Sequence, residues 1–195
     1  MKYFTKFPLI AITDKKGNSQ VYTNILSRLS IIPSVLKNPL VFYSYNIQDG
    51  DTPEIVAHKY YGDINRFWIV MYSNNILDPQ WDWPLSINAF NSYVNDKYTN
   101  PYAVHSYEKV ITTTNLVDNT SVSNSYNISE DEYNSLIEES KVFQFSTGTV
   151  LYELTKNEIT FYEYESRLNE SKRNIKLLNK NYASQLEQEF ETLMG

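Results

Sequence analysis

Few residues in this 195-residue chain have both the type and the spacing that catalysis or metal binding requires. Asp49-Gly50-Asp51 could offer two carboxylates to a cation, but a calcium loop needs further oxygen ligands at regular spacing, and none follow. His58 and His105 are the only histidines, and neither belongs to a metal-ligand motif such as H-E-x-x-H. Turn formation and helix capping explain the aspartates, so the sequence predicts no metal site.

Other catalytic patterns are also missing from the sequence. The 23 acidic residues would support glycoside hydrolysis only if two of them converged in a cleft, and no motif marks such a pair. Glu54 is explained by its place at the start of a predicted helix. The chain has five glycines and no GxGxxG, Walker or GxSxG pattern. We therefore predict that it is not an enzyme and binds no cofactor.

Composition and charge argue against further classes of function. The net charge is −6 with no Lys/Arg-rich block, so nucleic acid is not a predicted partner. The absence of cysteine excludes disulfides and thiolate metal sites. The first apolar run is too short for a secretory signal, and no stretch approaches the length of a membrane span, so no membrane partner is predicted. With 42% hydrophobic residues the chain can bury a core.

Aromatic side chains, 15% of the chain, are the remaining candidates for binding. Trp81 and Trp83 precede Pro84, and three roles are open for the pair: closing the core, contacting a protein, or stacking on a sugar. Trp68 is predicted to lie in the core. Its helix is apolar on most sides, so it requires further cover from the C-terminal part of the chain or from another subunit.

The elements that position these residues begin with a strand predicted over Val41 to Ile47, from its β-branched and aromatic residues. Gln48 to Asp51 form a turn in which Gly50 can take a positive φ. Thr52 is the predicted N-cap of a helix, because Pro53 disfavours the α conformation in its predecessor and suits the first helical position.

Two helices are predicted after this turn. The first ends near Tyr61, before Gly62 in a left-handed conformation, and Asp63 caps the second. Asn74-Asn75 can end the second helix. Its apolar stripe consists of Ile64, Phe67, Trp68, Met71 and Tyr72.

This strand, turn and helix pair resemble the LysM module. The ordered motifs further resemble the small LysM-containing baseplate wedge subunit of T-even-like contractile bacteriophage tails. The similarity covers about Val21 to Tyr98 and, in the C-terminal part, the run NESKRNIKLL and the closing helix. Its motif residues are Gly50-Asp51-Thr52-Pro53-Glu54, Tyr61-Gly62-Asp63, Trp68, Asn75, Asp78-Pro79 and Trp83-Pro84-Leu85-Ser86.

The chain departs from a complete LysM module after the second helix. Residues 77–84 are predicted to form a loop, and Ser86 then caps another helix where the second strand of the sheet would follow. That strand must come from later in the chain or be absent. The departure weakens any inference of sugar binding.

We predict an α+β fold, in which the resemblance implies a LysM-like strand-helix-helix unit elaborated with an N-terminal arm, β-hairpins and C-terminal helices. We divide the chain into 1–40 (arm and short helix), 41–100 (LysM-like core with an extra helix), 101–155 (β-rich insertion with a Ser/Asn loop) and 156–195 (C-terminal helical segment). In the first segment, Phe7 to Ile12 are predicted to form an edge strand or an arm, and a short helix from Ile25 to Ile32 ends at Pro33.

The insertion is predicted from local signals. A strand or hairpin spans residues 101–116, a Ser/Asn/Thr loop spans 118–126, and a hairpin joins 142–145 to 149–152. Two capping boxes start helices. Ser129 with Glu132 starts an acidic helix reaching about Ser140, and Thr155 with Glu158 starts a helix ending near Arg167.

The C-terminal third has two interpretations. Heptad-like spacing from Phe161 to Tyr182 would allow one long helix or a coiled coil. Several asparagines favour a break instead, with an extended run from Arg173 to Leu178 and a final helix from Tyr182 to Met194. The apolar face of that final helix would consist of Leu186, Phe190 and Leu193.

The resemblance implies a structural virion protein of the tail baseplate, synthesised and assembled in the host cytoplasm. It would bind other wedge proteins and the sheath-initiator or hub region, in multiple copies of a symmetric, six-fold assembly, and help to join neighbouring wedges. The alternative is a LysM-type protein that binds peptidoglycan through the Gly50 turn and Asn75 to Asp78. The candidate contact or motif residues are Gly50, Asp51, Thr52, Trp68, Trp81, Trp83, Pro84, Ile175 and Leu177.

Overall fold

The computed structural model describes residues 3–146 and 148–194. In chain order its α-helices are α1 (Pro33–Leu36), α2 (Pro53–Tyr61), α3 (Phe67–Ser73), α4 (Pro79–Asp82), α5 (Ile87–Lys97), α6 (Glu130–Ser135), α7 (Phe161–Ser171) and α8 (Lys180–Met194). Its strands are β1 (Leu9–Thr13), β2 (Ser19–Thr23), β3 (Phe42–Asn46), β4 (Val104–Asn115), β5 (Thr120–Ile128), β6 (Glu139–Phe145), β7 (Gly148–Thr160) and β8 (Asn174–Leu178). Short 3₁₀ helices span Tyr3–Lys6 and Ile64–Arg66. The predicted α+β class is confirmed.

The chain forms two compact units. One consists of the chain up to Ile87 together with the chain from Asn169, and the other consists of Asn88–Leu168. The first unit is thus discontinuous in sequence. The division of the sequence into four segments stays a prediction.

The first unit is built on the antiparallel pair of β3 and β8, in which Tyr45 lies opposite Ile175. The strand missing after the second helix therefore comes from the C-terminal part of the chain. Two buried clusters pack around the pair. One contains Phe7, Phe42, Trp68, Ile69, Leu178, Ala183, Phe190 and Met194, and the other contains Ile47, Val56, Ala57, Val70, Ile76, Trp83, Ile175 and Leu177.

The predicted caps around α2 are confirmed. Thr52 Oγ1 accepts a hydrogen bond from the Ile55 N–H, and Gly62 ends the helix at φ 74°. Asp63 caps the 3₁₀ turn that leads into α3. Asn75, with φ 54°, follows the end of α3. These local signals depend on residues adjacent in sequence, which is why they can be read from the sequence.

The N-terminal part forms a hairpin of β1 and β2, closed by a turn at Gly17. The predicted helix from Ile25 to Ile32 is wrong: no helix occupies those residues, and Pro33 begins α1 instead of ending a helix. Of the apolar face that such a helix would have had, Leu29 packs against the core, whereas Ile25, Leu26 and Ile32 are exposed, so too little of the face is buried to stabilise a helix.

The second unit contains a four-stranded antiparallel sheet in the order β5-β4-β7-β6. The predicted Ser/Asn loop at 118–126 is wrong, because most of that stretch is β5, paired with β4 after a tight turn at Asn119. Cross-strand hydroxyl pairs reinforce this pairing, with Thr112 Oγ1 and Ser123 Oγ 2.8 Å apart. Such polar strands lack the apolar alternation that identifies a half-buried strand.

Several predicted helix limits in the later part of the chain are also wrong. Thr155 lies inside β7, and the working capping box is five residues later, where the Glu163 N–H donates to Thr160 Oγ1 and Glu163 Oε2 accepts from the Thr160 N–H. The acidic helix α6 ends at Ser135 and α7 continues to Ser171. Strand β8 rules out one long C-terminal helix. In α8, Met194 is buried, whereas Leu193 is exposed.

Candidate protein-interaction site

The turn at Gly50 is organised around the buried carboxylate of Asp51. This carboxylate accepts hydrogen bonds from the Tyr45 hydroxyl at 2.8 Å, the Gln48 N–H at 3.1 Å and Lys59 Nζ at 2.6 Å. Burial opposes its ionisation, but the bonds from Lys59, Tyr45 and Gln48 outweigh that effect and hold the pKa of Asp51 below its ordinary value. All three donors belong to the chain itself, so Asp51 has a structural role.

Trp83 is attached to the same turn. Its indole Nε1–H donates to the Asp51 carbonyl oxygen at 2.7 Å, and the ring is buried. Pro84, next in sequence, is also buried. Of the three roles open for this tryptophan, the geometry shows core closure. The ring covers the start of α2, and its hydrogen bond fixes the turn at Gly50-Asp51-Thr52, hereafter the GDT turn.

Trp81 is placed differently, although it is only two residues away. Residues 77–84, predicted as a loop, contain the single-turn helix α4, and Trp81 lies on it with 63% of its surface exposed. The Trp81 carbonyl oxygen accepts from Lys172 Nζ at 2.6 Å, which holds the backbone of this turn. Leu77, close by in sequence, is also exposed. An exposed indole on a backbone turn that a hydrogen bond holds in place is suited to contact with another protein.

Trp68, Ile175 and Leu177 lie inside the first unit. Trp68 is 2% exposed and packs its ring against Phe190, with centroids 4.9 Å apart. Its Nε1–H has no hydrogen-bond partner among the described residues. Ile175 and Leu177 cover the same buried cluster as Trp83. Of the nine candidate residues, the exposed ones are Gly50, Thr52 and Trp81.

Further exposed apolar residues, none of them among the nine candidates, lie in the predicted N-terminal arm. Hereafter, the connector means residues 24–40, which join β2 to β3. Its apolar side chains Ile25, Leu26, Ile32 and Leu40 are each more than half exposed. Leu29 and Leu36 of the connector are partly buried and pack against the cluster of Trp68 and Phe190, so the connector is attached to the core while the four other side chains remain exposed.

One buried carboxylate of the second unit, that of Glu108, is held by groups of its own chain in the same way as that of Asp51. Glu108 is buried and accepts from Arg167 Nη1 at 2.8 Å, from Ser125 Oγ at 2.7 Å and from Asn157 Nδ2 at 3.2 Å. Hydrogen bonding from Arg167 lowers the pKa of Glu108 to about 2, in spite of its burial. These hydrogen bonds link Glu108 on β4 to β5, β7 and α7. Their donors, Arg167, Ser125 and Asn157, are thus engaged within the chain itself.

The histidines lie apart from these clusters. His58 is exposed on α2, and His105 stacks on Tyr164 with ring centroids 4.1 Å apart. Within residues 3–146 and 148–194, no group of three or more histidines and acidic residues is arranged to hold a metal ion. In the same part of the chain, no helix has the length and apolar character that crossing a membrane would require.

Comparison with known protein families identifies the chain over nearly its whole length. A family model described as Base plate wedge protein 53 matches residues 3–193. A comparison with curated proteins finds no match. The family match covers the GDT turn, both helices after it and the C-terminal strand.

Proposed function

The chain belongs to the base plate wedge protein 53 family, and on this basis we propose that it binds other wedge proteins through its connector. Membership makes it a structural protein of the bacteriophage tail baseplate and places it in the virion. The family match leaves open which surface binds, and the exposure of the connector is the observation that supports this proposal.

The connector is suited to a partner because hydrogen bonds hold its backbone while Ile25, Leu26, Ile32 and Leu40 remain exposed. The Val35 N–H donates to the Ile32 carbonyl at 2.9 Å, and Asn38 Oδ1 accepts from the Leu40 N–H at 3.0 Å. Leu26, with 82% of its surface exposed, exceeds most apolar side chains of the chain in exposure. Burying several such side chains on a neighbour supplies hydrophobic free energy at little further cost in backbone order.

Trp81 is the proposed second anchor. An exposed indole on a fixed backbone turn is typical of residues that dominate protein interfaces. The neighbours that we propose are other wedge proteins and the sheath-initiator or hub region. Binding them would help to join adjacent wedges around the tail hub, in a symmetric assembly of multiple copies.

The test is co-purification of the chain with co-expressed wedge proteins of its own phage. Leu26→Asp is expected to reduce co-purification several-fold, because it places a charge where the proposed contact is apolar. Ile137→Asp is the matched control, since Ile137 is 83% exposed and lies in the second unit, outside the connector. Equal loss in both variants, or none in Leu26→Asp, contradicts the proposal.

Hydrogen exchange gives an independent measurement. Connector amides are expected to exchange more slowly in the co-purified complex than in the chain alone, whereas amides of α2 are expected to be unchanged.

The alternative function is binding of peptidoglycan, and pairing of β3 with β8 removes one objection to it. It would use the exposed Gly50, Thr52 and Asn75, whereas Asp51 is fully used by the chain itself. Retention of the isolated chain on insoluble peptidoglycan would support this alternative. No retention is expected if the connector proposal is right.

A further inference from the structure

Among the described residues, β1 and β6 are two edge strands that combine an unpaired edge with exposed apolar side chains. Strand β1 pairs only with β2, and all five of its residues are exposed, as are all five of β2. An isolated two-stranded hairpin in water is marginally stable, so a third strand or other cover would stabilise it.

Strand β6 has its unpaired edge at one side of the four-stranded sheet. Val142, Phe143 and Phe145 are exposed on this strand, and Lys141 is the one cation on it. Natural edge strands are commonly protected by charges, bulges or covering segments, because an apolar edge recruits further strands. An edge with two exposed phenylalanines points to a pairing partner.

We propose that β1 of one copy of this chain adds antiparallel to β6 of a second copy. The inference rests on the proposed function in that it supplies the contact between copies in a multi-copy assembly. It names a partner for the hairpin, whereas the connector is left to other wedge proteins. Three observations support it: the phase of the backbone hydrogen bonds, the matching of apolar side chains, and the matching of charges.

The backbone phase of β1 follows from its hydrogen bonds with β2. The Asn24 N–H donates to the Pro8 carbonyl, and the Asp14 N–H donates to the Asn18 carbonyl. In an antiparallel pair the bonded positions alternate, so Ile10 and Ile12 also direct their backbone groups at β2. Leu9, Ala11 and Thr13 therefore direct their N–H and C=O groups to the free edge.

The backbone phase of β6 follows from β7. The Leu116 N–H donates to the Thr149 carbonyl, so the backbone of Thr149 is bonded on the β4 side of β7. Because bonded positions alternate along a strand, the odd-numbered residues of β7 are bonded to β4 and the even-numbered residues to β6. Since Phe143 lies opposite Val150, the odd-numbered residues of β6 are bonded to β7. Ser140, Val142 and Gln144 then face outward, and Ala11 of the added strand must lie opposite one of them or opposite the Ser146 turn.

Side chains select one of these registers. With Ala11 opposite Gln144, Ile10 lies opposite Phe145, Ile12 opposite Phe143, and Asp14 opposite Lys141. Each of these pairs is favourable across strands, being apolar with apolar or anion with cation.

The alternative registers are poorer. With Ala11 opposite Ser140, Ile10 would face Lys141 and Ile12 would face Glu139, so both isoleucines would meet charged side chains. With Ala11 opposite Val142, Ile12 would face Lys141 and Asp14 would face Glu139, a pair of like charges. With Ala11 opposite Ser146, the hairpin would extend into the turn and lose part of its pairing. In the free chain Lys141 contacts Glu139 at 2.6 Å, so this lysine is already held at the edge where Asp14 would meet it.

The contact is heterologous, because two different surfaces meet. Such contacts repeat from copy to copy and close into a ring when the rotation permits. A ring is the form that a symmetric baseplate assembly requires, and an open filament is the form expected if the rotation does not close.

The absence of cysteine makes disulfide trapping a direct test. Chains carrying Ala11→Cys are mixed with chains carrying Gln144→Cys under mild oxidation. Hydrogen-bonded antiparallel positions have Cα atoms about 5.5 Å apart, within the range that a disulfide spans. We expect the mixed disulfide to exceed both homodimers several-fold.

Two control mixtures use the same Ala11→Cys chain. Asn124→Cys is exposed on β5, at the opposite edge of the sheet, and Val142→Cys corresponds to the rejected register. Both mixtures are expected to give several-fold less mixed disulfide than Gln144→Cys. Equal yields in all three mixtures overturn the proposal, and a higher yield with Val142→Cys overturns the register. Circular dichroism of each single variant shows beforehand that it is folded.

The inference can fail while the proposed function stands. Phe143→Glu is expected to abolish self-association, measured by analytical ultracentrifugation of the purified chain, and Ile12→Lys in the second chain is expected to restore it. If the purified chain is monomeric at all concentrations and traps no disulfide, also when co-purified with wedge proteins, the strand-addition proposal is wrong. The Leu26→Asp result is independent of that outcome.

Discussion

The region of the GDT turn, α2, α3 and β8 differs from the connector in how far its side chains are buried by the chain itself. In the former, Trp83, Leu177 and Asp51 are buried and contact groups of the same chain. In the connector, Leu26 and Leu40 are exposed although they are equally apolar. The residues that carry the family resemblance thus lie mostly in the core and stabilise the fold, whereas the proposed contact surface is the connector, whose apolar side chains the chain leaves exposed.

The largest expected effect is that of Leu177→Ala. It removes a fully buried side chain and should lower the free energy of unfolding by about 2–5 kcal/mol. Leu26→Ala is the matched change in the connector and should stay within about 0.5 kcal/mol. Urea denaturation of the free chain measures both, and comparable losses would show that the connector belongs to the core.

Asp51→Ala should have the next largest effect. The Tyr45 hydroxyl and the Gln48 N–H would lose their acceptor, which should lower the free energy of unfolding by about 1–3 kcal/mol. Asp14→Ala is the counterpart in the hairpin turn, where the carboxylate accepts from the Lys16 and Asn18 N–H groups in full exposure. A smaller change in urea midpoint is expected for Asp14→Ala than for Asp51→Ala. The reverse order would show that the buried Asp51 carboxylate contributes less to stability than the exposed one.

In the second unit, the buried carboxylate of Glu108 makes the stability of the fold sensitive to acid. The pKa of Glu108 is about 2 in the folded chain, below its ordinary value of 4.5. A depressed folded-state pKa means that the carboxylate stabilises the fold above about pH 4.5, and this contribution is lost as pH falls towards 2. Solvent screening moderates the effect, because the Arg167 side chain is 57% exposed.

Glu108→Gln should therefore flatten the fall in melting temperature between pH 4.5 and pH 2, measured by circular dichroism. Lys109 pairs with Glu132, an exposed residue, so Glu132→Gln serves as the control with an unchanged slope. If Glu108→Gln leaves the slope as it is, the Arg167 pair does not control acid stability.

The two neighbouring tryptophans give the smallest expected effect. Trp83→Phe removes the donor to the Asp51 carbonyl and should cost about 1 kcal/mol in thermal unfolding. Trp81→Phe should leave the melting temperature unchanged, because its indole is exposed. Trp81→Phe should instead weaken co-purification with wedge proteins, and a stability loss equal to that of Trp83→Phe would place both rings in the core.

Local structure was predictable wherever neighbouring residues decide it. Thr52, Pro53 and Gly62 set the limits of α2 through a side-chain cap, a fixed φ and a left-handed end. The same reasoning failed at Thr155, because a capping-box pattern competes with strand pairing and β7 gains hydrogen bonds from both neighbouring strands. It failed at Pro33 because a proline suits the first helical position as well as it suits a break.

The candidate site was predictable only in part. Trp68, Ile175 and Leu177 were singled out because they carry the family resemblance, and the structure places them in the core. The sequence could not show which of Trp81 and Trp83 is exposed. Trp83 is buried because Ile175 and Leu177, distant in sequence, pack in the same cluster. Residues of β5 were missed because Thr and Ser hydroxyl pairs stabilise a strand without apolar alternation.

The sequence by itself determined the caps of α2, the turn at Gly50, the absence of cysteine chemistry and the resemblance to a baseplate wedge subunit. Each of these depends on residue type or on residues within a few positions of one another. The tertiary structure alone decided that β8 completes the sheet with β3, and that Leu26 and Leu40 of the connector stay exposed. Such outcomes depend on which surfaces meet across more than a hundred residues, and local chemistry does not encode that choice.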